Sequence, residues 1–120
     1  MLKLLLSLML TALLLGTASA QEMGAAMIAY DEGNAPRLVT ANQSAGSVTL
    51  LERDSGKRLK EVQLGGDLRQ LARADDGTLL VSDYRGDRLL LLDDDLDLDK
   101  AIPTGHRPYG VIFDPKRQWF

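Results

Sequence analysis

The residues best suited to chemistry lie close together near the end of the chain, in the stretch GHRPYG at positions 105–110. His106 is the only histidine in the sequence, and Arg107 and Tyr109 stand close to it. An imidazole in such a place can act as a general base or can bind a metal or a haem iron. The sequence offers it no second histidine and identifies no carboxylate partner, so we favour a solvent-facing loop histidine. We predict no catalytic residue in this chain.

An acidic run, DDDLDLD at positions 93–99, is the second candidate, because it places a carboxylate at every second position. Calcium prefers such oxygen ligands. The helix-loop-helix calcium pattern fails, however, because Leu98 stands where it needs a glycine and Thr104 stands where it needs a glutamate. The run therefore predicts a solvated turn between two outer strands, and we predict no metal site.

No other pattern indicates covalent or cofactor chemistry. Cysteine is absent, which excludes disulfide bonds, thiolate metal sites and a cysteine nucleophile. The pair Gly65 and Gly66 is not followed by the phosphate-binding pattern, and no serine stands at the centre of a nucleophile elbow. The prediction is therefore no cofactor.

The composition is that of an ordinary globular protein, with 45% hydrophobic and 26% charged residues among 120. Lys3 is the one charged side chain in the segment 1–20. Removal of that segment leaves 13 basic and 17 acidic side chains, a net charge of −4. A nucleic-acid binder carries a basic surface instead, so no nucleic-acid partner is expected.

The segment 1–20 has the features of a removed signal peptide. It combines a positive start at Lys3, an apolar run over positions 4–15 and the small residues ASA at 18–20. The apolar run is shorter than the roughly 20 residues that span a bilayer, which disfavours a membrane anchor. We expect cleavage before Gln21 and a periplasmic or secreted protein that contacts no membrane once the signal is removed.

The rest of the chain repeats itself. LVTAN at 38–42 returns as LVSDY at 80–84, at a spacing of 42, and VTLLE at 48–52 returns as LLLLD at 89–93, at a spacing of 41. Val62 and Gly65 return as Ile102 and Gly105 at a spacing of 40. A period that drifts only at its polar joints is typical of short strands joined by tolerant loops.

Each repeat predicts four antiparallel strands, because segments of four to six strand-forming residues alternate with turn residues about every ten positions. The leucines at 89–92 predict a strand buried on both faces. The first unit is predicted at 24–30, 38–41, 48–52 and 59–64, the second at 68–72, 79–83, 89–93 and 101–104, and a third opens at 110–113. The fold class is therefore all-β, with four-stranded units.

Several of these segments resemble a known repeat. VSDY at 81–84, LLD at 91–93, IPTG at 102–105, RPYGV at 107–111 and FDP at 113–115 are similar, in that order, to the pieces of the roughly 40-residue repeat named for its Tyr-Val-Thr-Asn signature. LVTAN at 38–42 matches the name-giving segment most closely. The resemblance covers about residues 37–120. It departs from the pattern at 66–70, where a Pro-Tyr-Gly step should stand, and at Arg117, where the turn should have glycine.

This resemblance implies an exported β-propeller, usually of about seven blades. Members of the family include lactonase-like enzymes, the heavy subunit of quinoprotein amine dehydrogenases and the haem-binding propeller of a nitrite reductase. The domains expected are a signal peptide at 1–20 and, at 21–120, about two blades and the first hairpin of a third. Because two blades cannot close a propeller, we expect an N-terminal fragment of a longer protein. Gly110 should open the innermost strand of the third blade, where crowding leaves no room for a side chain.

In such a blade the loop between the two middle strands and the loop leaving the outer strand emerge on one face, the top face. The resemblance places five candidate ligand-binding residues there: Tyr84, Arg85, His106, Arg107 and Tyr109. The function we predict is a binding or scaffolding module for a small molecule or a protein partner. The alternatives are a lactonase-like hydrolase and a subunit of a periplasmic quinoprotein or haem oxidoreductase.

Overall fold

A computed structural model describes residues 26–120. The signal peptide predicted at 1–20 lies outside the described residues. No helix in the described part has the length and apolarity to cross a membrane. Eight strands make up the fold: β1 (Ala26–Glu32), β2 (Ala35–Asn42), β3 (Ser47–Glu52), β4 (Arg58–Gln63), β5 (Leu68–Arg73), β6 (Leu79–Asp83), β7 (Arg88–Leu92) and β8 (Leu98–Pro103).

These strands form two four-stranded antiparallel sheets, each a simple meander, in the orders β1-β2-β3-β4 and β5-β6-β7-β8. A chain that completes one four-stranded meander and then begins the next beside it forms the blades of a β-propeller. The predicted all-β fold and the predicted strands of both units are confirmed. β1 and β2 contact β5, so the inner strand of the second blade packs on the first blade.

The main core lies between the two blades. Val39 and Val48 enter it from the first blade, and Val81 and Leu90 enter it from the second, all four fully buried. The opposite face of the second blade carries Leu80 and Leu89, against which the side chains at 111 and 113 pack. Apolar side chains on each face of β7 are therefore packed in a core. The prediction that this strand is buried on both faces is confirmed.

The register of the blades corrects the spacing of the first repeated segment. Asn42 pairs with Ser47 at the end of the β2–β3 hairpin, and Asp83 pairs with Arg88 at the same place in the β6–β7 hairpin. Asn42 thus corresponds to Asp83, at a spacing of 41 and not 42. A shift of one residue moves every side chain of a strand to the other face of its sheet. Val39 and Val81, which the spacing of 42 aligned, therefore lie on opposite faces of their respective blades.

The first strand expected for a third blade has no paired partner among the described residues. Residues 110–113 pair with no other described strand, although the alternation of the segment is kept: the side chains at 111 and 113 pack inward and Ile112 is 80% exposed. A single bridge between Asp114 and Trp119 closes the turn that follows. Among residues 26–120, a Cβ at Gly110 would meet no heavy atom within 4 Å. The left-handed residue of the last turn is Gln118 (φ 57°), so the turn needs no glycine at 117.

Candidate functional site

Three loops meet on the top face, at the boundary between the blades, and enclose a cleft of about 370 Å³. They are the loop between β4 and β5, the turn between β6 and β7, and the segment that follows β8. We call this the top-face cleft; its lining residues are Asp67, Tyr84, Arg85, Asp87, His106 and Arg107. Four of the five predicted site residues line it.

Tyr109, the fifth, lies beside the cleft. Its ring stands edge-on to the ring of Tyr84, with the centroids 6.3 Å apart and the planes at 87°. Ser82, almost fully buried, holds the backbone at this point, because its hydroxyl donates to the carbonyl oxygen of Tyr109 at 2.6 Å and accepts the N–H of Gln70 at 3.0 Å. Tyr109 nevertheless remains 61% exposed.

The carboxylate of Asp83 organises the floor beneath these loops. It is fully buried and accepts hydrogen bonds from the N–H of Asp67 at 3.1 Å, the N–H of Gly86 at 2.9 Å and Nε of Arg88 at 2.8 Å. Burial acts to raise the pKa of Asp83, but the hydrogen bond from Arg88 and those from the two backbone N–H groups outweigh it and lower the pKa below its ordinary value. One side chain therefore joins the loop leaving the first blade to the middle turn of the second.

Asp87 orders the segment that carries His106. Its Oδ1 accepts the N–H of Arg107 at 2.8 Å, and its backbone carbonyl accepts the N–H of Thr104 at 2.9 Å. The same Oδ1 lies 3.6 Å from Nδ1 of His106, whose side chain is 77% exposed. His106 is thus a solvent-facing loop residue, as expected, with a carboxylate neighbour that the sequence did not identify. Its outward position leaves the imidazole accessible to a ligand.

The guanidinium of Arg69 contacts both tyrosine rings of the top face, those of Tyr84 and Tyr109. Its guanidinium stands 4.5 Å from the ring centroid of Tyr84 and 5.4 Å from that of Tyr109, distances at which a cation is attracted to an aromatic face. The same group donates to Oδ2 of Asp67 at 2.8 Å. This hydrogen bond raises the pKa of Arg69, with burial opposing it. Oδ1 of Asp67 and Nε of Arg69 are buried and have no hydrogen-bond partner among the described residues.

A smaller cavity of about 200 Å³ adjoins the top-face cleft. It is lined by Gln43, Ser44, Gly66, Asp67 and Arg85. Asp67 and Arg85 line both spaces. The turn between β2 and β3 therefore contributes to the top face as well.

The acidic run forms a turn, as predicted. Oδ1 of Asp93 accepts the N–H groups of Asp95 and Asp97, each at 2.9 Å. Lys60 of the first blade donates to the carbonyl of Asp95 and, at 2.9 Å, to Oδ1 of Asp97. Nowhere in residues 26–120 do three or more histidine or acidic side chains gather in a way that could hold a metal ion. The run therefore ties the two blades together at their outer strands.

Asp67, Arg69 and Asp87 lie in loops expected on the top face but were not among the predicted site residues. A signal for Arg69 did exist, because the spacing of 40 that relates Gly65 to Gly105 also relates Arg69 to Tyr109. Both positions stand at the top of an innermost segment. The two aspartates carried no such signal.

No protein-family model and no curated protein sequence matches the chain. Among solved structures, hydrazine synthase of Kuenenia stuttgartiensis is similar, with a TM-score of 0.63 and 28% identity, over 67% of this chain and 23% of that one. The dihydro-heme d1 dehydrogenase NirN, in complex with DHE, is similar with a TM-score of 0.60 and 36% identity, over 68% of this chain and 19% of that one. Both are β-propeller proteins. The chain spans about a fifth to a quarter of the length of these structures.

Proposed function

We propose that this chain forms part of an exported β-propeller that binds an anionic, planar ligand at its top-face cleft. The observation that carries the proposal is the pair Arg85 and Arg107. Both line the cleft, and neither forms an ion pair with another described side chain. Within the same cleft, Asp67 is neutralised by its ion pair with Arg69.

The charge of the site supports this ligand class. The whole chain has a net charge of −3, whereas the cleft lining, once Asp67 is paired with Arg69, has two guanidinium groups against the one carboxylate of Asp87, a local net charge of +1. A guanidinium presents its N–H groups as a planar fork that fits a carboxylate or a phosphate with two parallel hydrogen bonds. The exposed ring of Tyr109 lies beside them and can pack against a flat molecule. Acid groups and a flat body are therefore the features that the site would recognise.

A haem-type oxidoreductase is the specific form of this function that the comparisons favour, because the chain is 36% identical to part of a dehydrogenase in complex with DHE. The residues present fit a tetrapyrrole. Arg85 and Arg107 would hold its acidic side groups, Tyr109 would pack on its plane and the accessible imidazole of His106 would approach the metal. When bound, such a group supplies electron transfer.

The volume of the cleft limits how much of a ligand these two blades can enclose. A volume of about 370 Å³ is at the low end of the roughly 300–1,000 Å³ typical of small-molecule sites. The cleft would therefore hold one edge of a macrocycle, the edge that carries the acid groups. In this arrangement the residues of this chain bind and orient the ligand. No observation on the described residues favours a lactonase-like hydrolase.

The test is an absorbance titration of the full chain with iron protoporphyrin IX and with the metal-free porphyrin. We expect saturable binding that the double variant Arg85→Gln/Arg107→Gln weakens by about 100-fold or more, since each lost charged hydrogen bond costs about tenfold or more. Arg58→Gln is the matched control, because Arg58 is an exposed arginine on an outer strand away from the cleft. Equal affinity of the double variant and the wild type would refute the proposal. Export is tested separately by the N-terminal residue of the mature protein, which should be Gln21.

A further inference from the structure

We propose that the three arginines at the top face have separate roles: Arg85 contacts the ligand and selects acidic molecules, whereas Arg69 is a positioning residue that holds the two tyrosines and contributes no net charge. Arg107 assists Arg85. This inference rests on the proposed function and names the residue that decides its ligand specificity.

Arg69 already contacts a carboxylate and two aromatic rings. It donates to Asp67 at 2.8 Å, and its guanidinium lies over the rings of both Tyr84 and Tyr109. Its side chain is 23% exposed. An anion that approached Arg69 would have to compete with the carboxylate of Asp67. The positive charge of Arg69 is therefore already compensated within the protein.

The position of Arg69 explains why it is needed. Tyr84 belongs to the second blade, and Tyr109 follows the outer strand of that blade on the way to the next inner position. A planar guanidinium can face two rings at once while it also binds a carboxylate, whereas the ammonium of lysine is a compact point charge. Arg69 therefore fixes the edge-on arrangement of the two tyrosines beside the cleft.

Arg85 has the opposite surroundings. It is exposed, it forms no ion pair with another described side chain, and it lines both the larger cleft and the smaller cavity beside it. A ligand in either space would meet this guanidinium. Arg107 lines only the larger cleft, its backbone is fixed by Asp87, and its guanidinium lies 5.6 Å from the centroid of Tyr84.

The two roles predict different responses to salt. Salt screens an exposed charge that meets an anionic ligand, whereas the Asp67–Arg69 ion pair presents no net charge for salt to screen. Removing Arg85 should therefore reduce both the affinity and its dependence on salt. Removing Arg69 together with its partner Asp67 leaves the net charge of the cleft unchanged, so it should reduce the affinity through the loss of ring positions while the dependence on salt stays unchanged.

A ligand-free measurement tests the assignment first. Phenylglyoxal labelling of the full chain, followed by mass spectrometry, should modify Arg85 and Arg107 as rapidly as the exposed Arg58, and Arg69 at least about tenfold more slowly. Asp67→Asn should increase the rate at Arg69 alone, because it removes the carboxylate that holds the guanidinium. Labelling of Arg69 at the rate of Arg85 would overturn its role as a positioning residue.

Titration with iron protoporphyrin IX from about 20 to about 500 mM salt completes the test. Arg85→Gln should weaken binding about 10- to 100-fold at low salt and flatten the salt dependence. The pair variant Asp67→Asn/Arg69→Met, which removes the ion pair without changing the net charge, should weaken binding with the wild-type salt dependence, and Arg69→Lys should weaken binding as well. Wild-type affinity in Arg69→Lys, or a flattened salt response in the pair variant, would contradict the division of roles. If the wild-type chain binds no porphyrin, the proposed function and the ligand role of Arg85 both fail, while the labelling still decides the role of Arg69.

Discussion

The carboxylate of Asp83, on the second blade, accepts a hydrogen bond of 3.1 Å from the backbone N–H of Asp67, in the loop that leaves the first blade. The two residues are 16 positions apart, and both are buried. This bond joins the blades at the floor of the top-face cleft. The position of the cleft walls therefore depends on one buried carboxylate.

Replacing that carboxylate should destabilise the fold. Asp83→Ala removes three hydrogen bonds and leaves the N–H of Asp67 without a partner, so we expect the free energy of unfolding to fall by about 2–4 kcal/mol. Asp54→Ala is the control, because Asp54 is an exposed turn residue, and its effect should stay within about 0.5 kcal/mol. Urea unfolding measures both. Similar small effects for the two variants would show that Asp83 does not join the blades.

The lowered pKa of Asp83 predicts how this contribution depends on pH. A carboxyl group whose pKa is lower in the folded state stabilises the fold above its unfolded pKa of about 3.9, and the stabilisation is lost as the pH falls through the folded value. The wild type should therefore be more stable than Asp83→Asn by a constant amount between about pH 5 and pH 7, and the difference should shrink below about pH 4. Urea midpoints at several pH values test this. A difference that persists unchanged at low pH would contradict it.

Gly66 approaches the same carboxylate closely. Its φ of 75° is one that residues with a side chain rarely adopt, and a Cβ there would overlap the carboxylate of Asp83. Gly33 has a similar φ of 60° but open space around it, which makes it a matched control. Gly33→Ala should cost about 1–2 kcal/mol from its backbone alone. Gly66→Ala should cost clearly more in the same thermal or urea unfolding experiment, and equal costs would show that the contact with Asp83 is not tight.

His106 should matter for binding and not for stability. Its side chain is mostly exposed and its nearest carboxylate, Asp87, is held by other bonds, so His106→Ala should change the free energy of unfolding by less than about 0.5 kcal/mol. Binding of iron protoporphyrin IX should weaken, while binding of the metal-free porphyrin should not. A large loss of stability in His106→Ala would mean that the side chain belongs to a core.

The strands and the loop cluster could be predicted because they depend on local patterns. Alternating apolar residues and turn residues define β2 to β8, and the meander then places the turn at 84–87 and the loop at 104–109 on one face. The segment at 110–113 has the same alternation, but a strand also needs a partner to accept its hydrogen bonds, and no residue pattern reports that partner.

The site aspartates could not be predicted for a different reason. Asp87 and Arg107 both have positive φ, at 51° and 53°, and the bond between them depends on that shape of the two turns. Residues other than glycine rarely adopt a positive φ, so the residue types at 87 and 107 do not indicate this backbone conformation. The ion pair of Asp67 with Arg69 likewise depends on a bulge in the pairing of β5 with β6, between residues 68 and 70.

The most direct test of the central claim is to locate the bound ligand by the paramagnetic broadening of backbone amide NMR signals when ferric protoporphyrin IX is added to the full chain. Broadening should be concentrated in the top-face loops, at residues 84–88 and 104–109. The turns at the opposite ends of the strands, at residues 53–57 and 74–78, should keep sharp signals. Broadening centred on those opposite turns, or spread evenly over both blades, would contradict it.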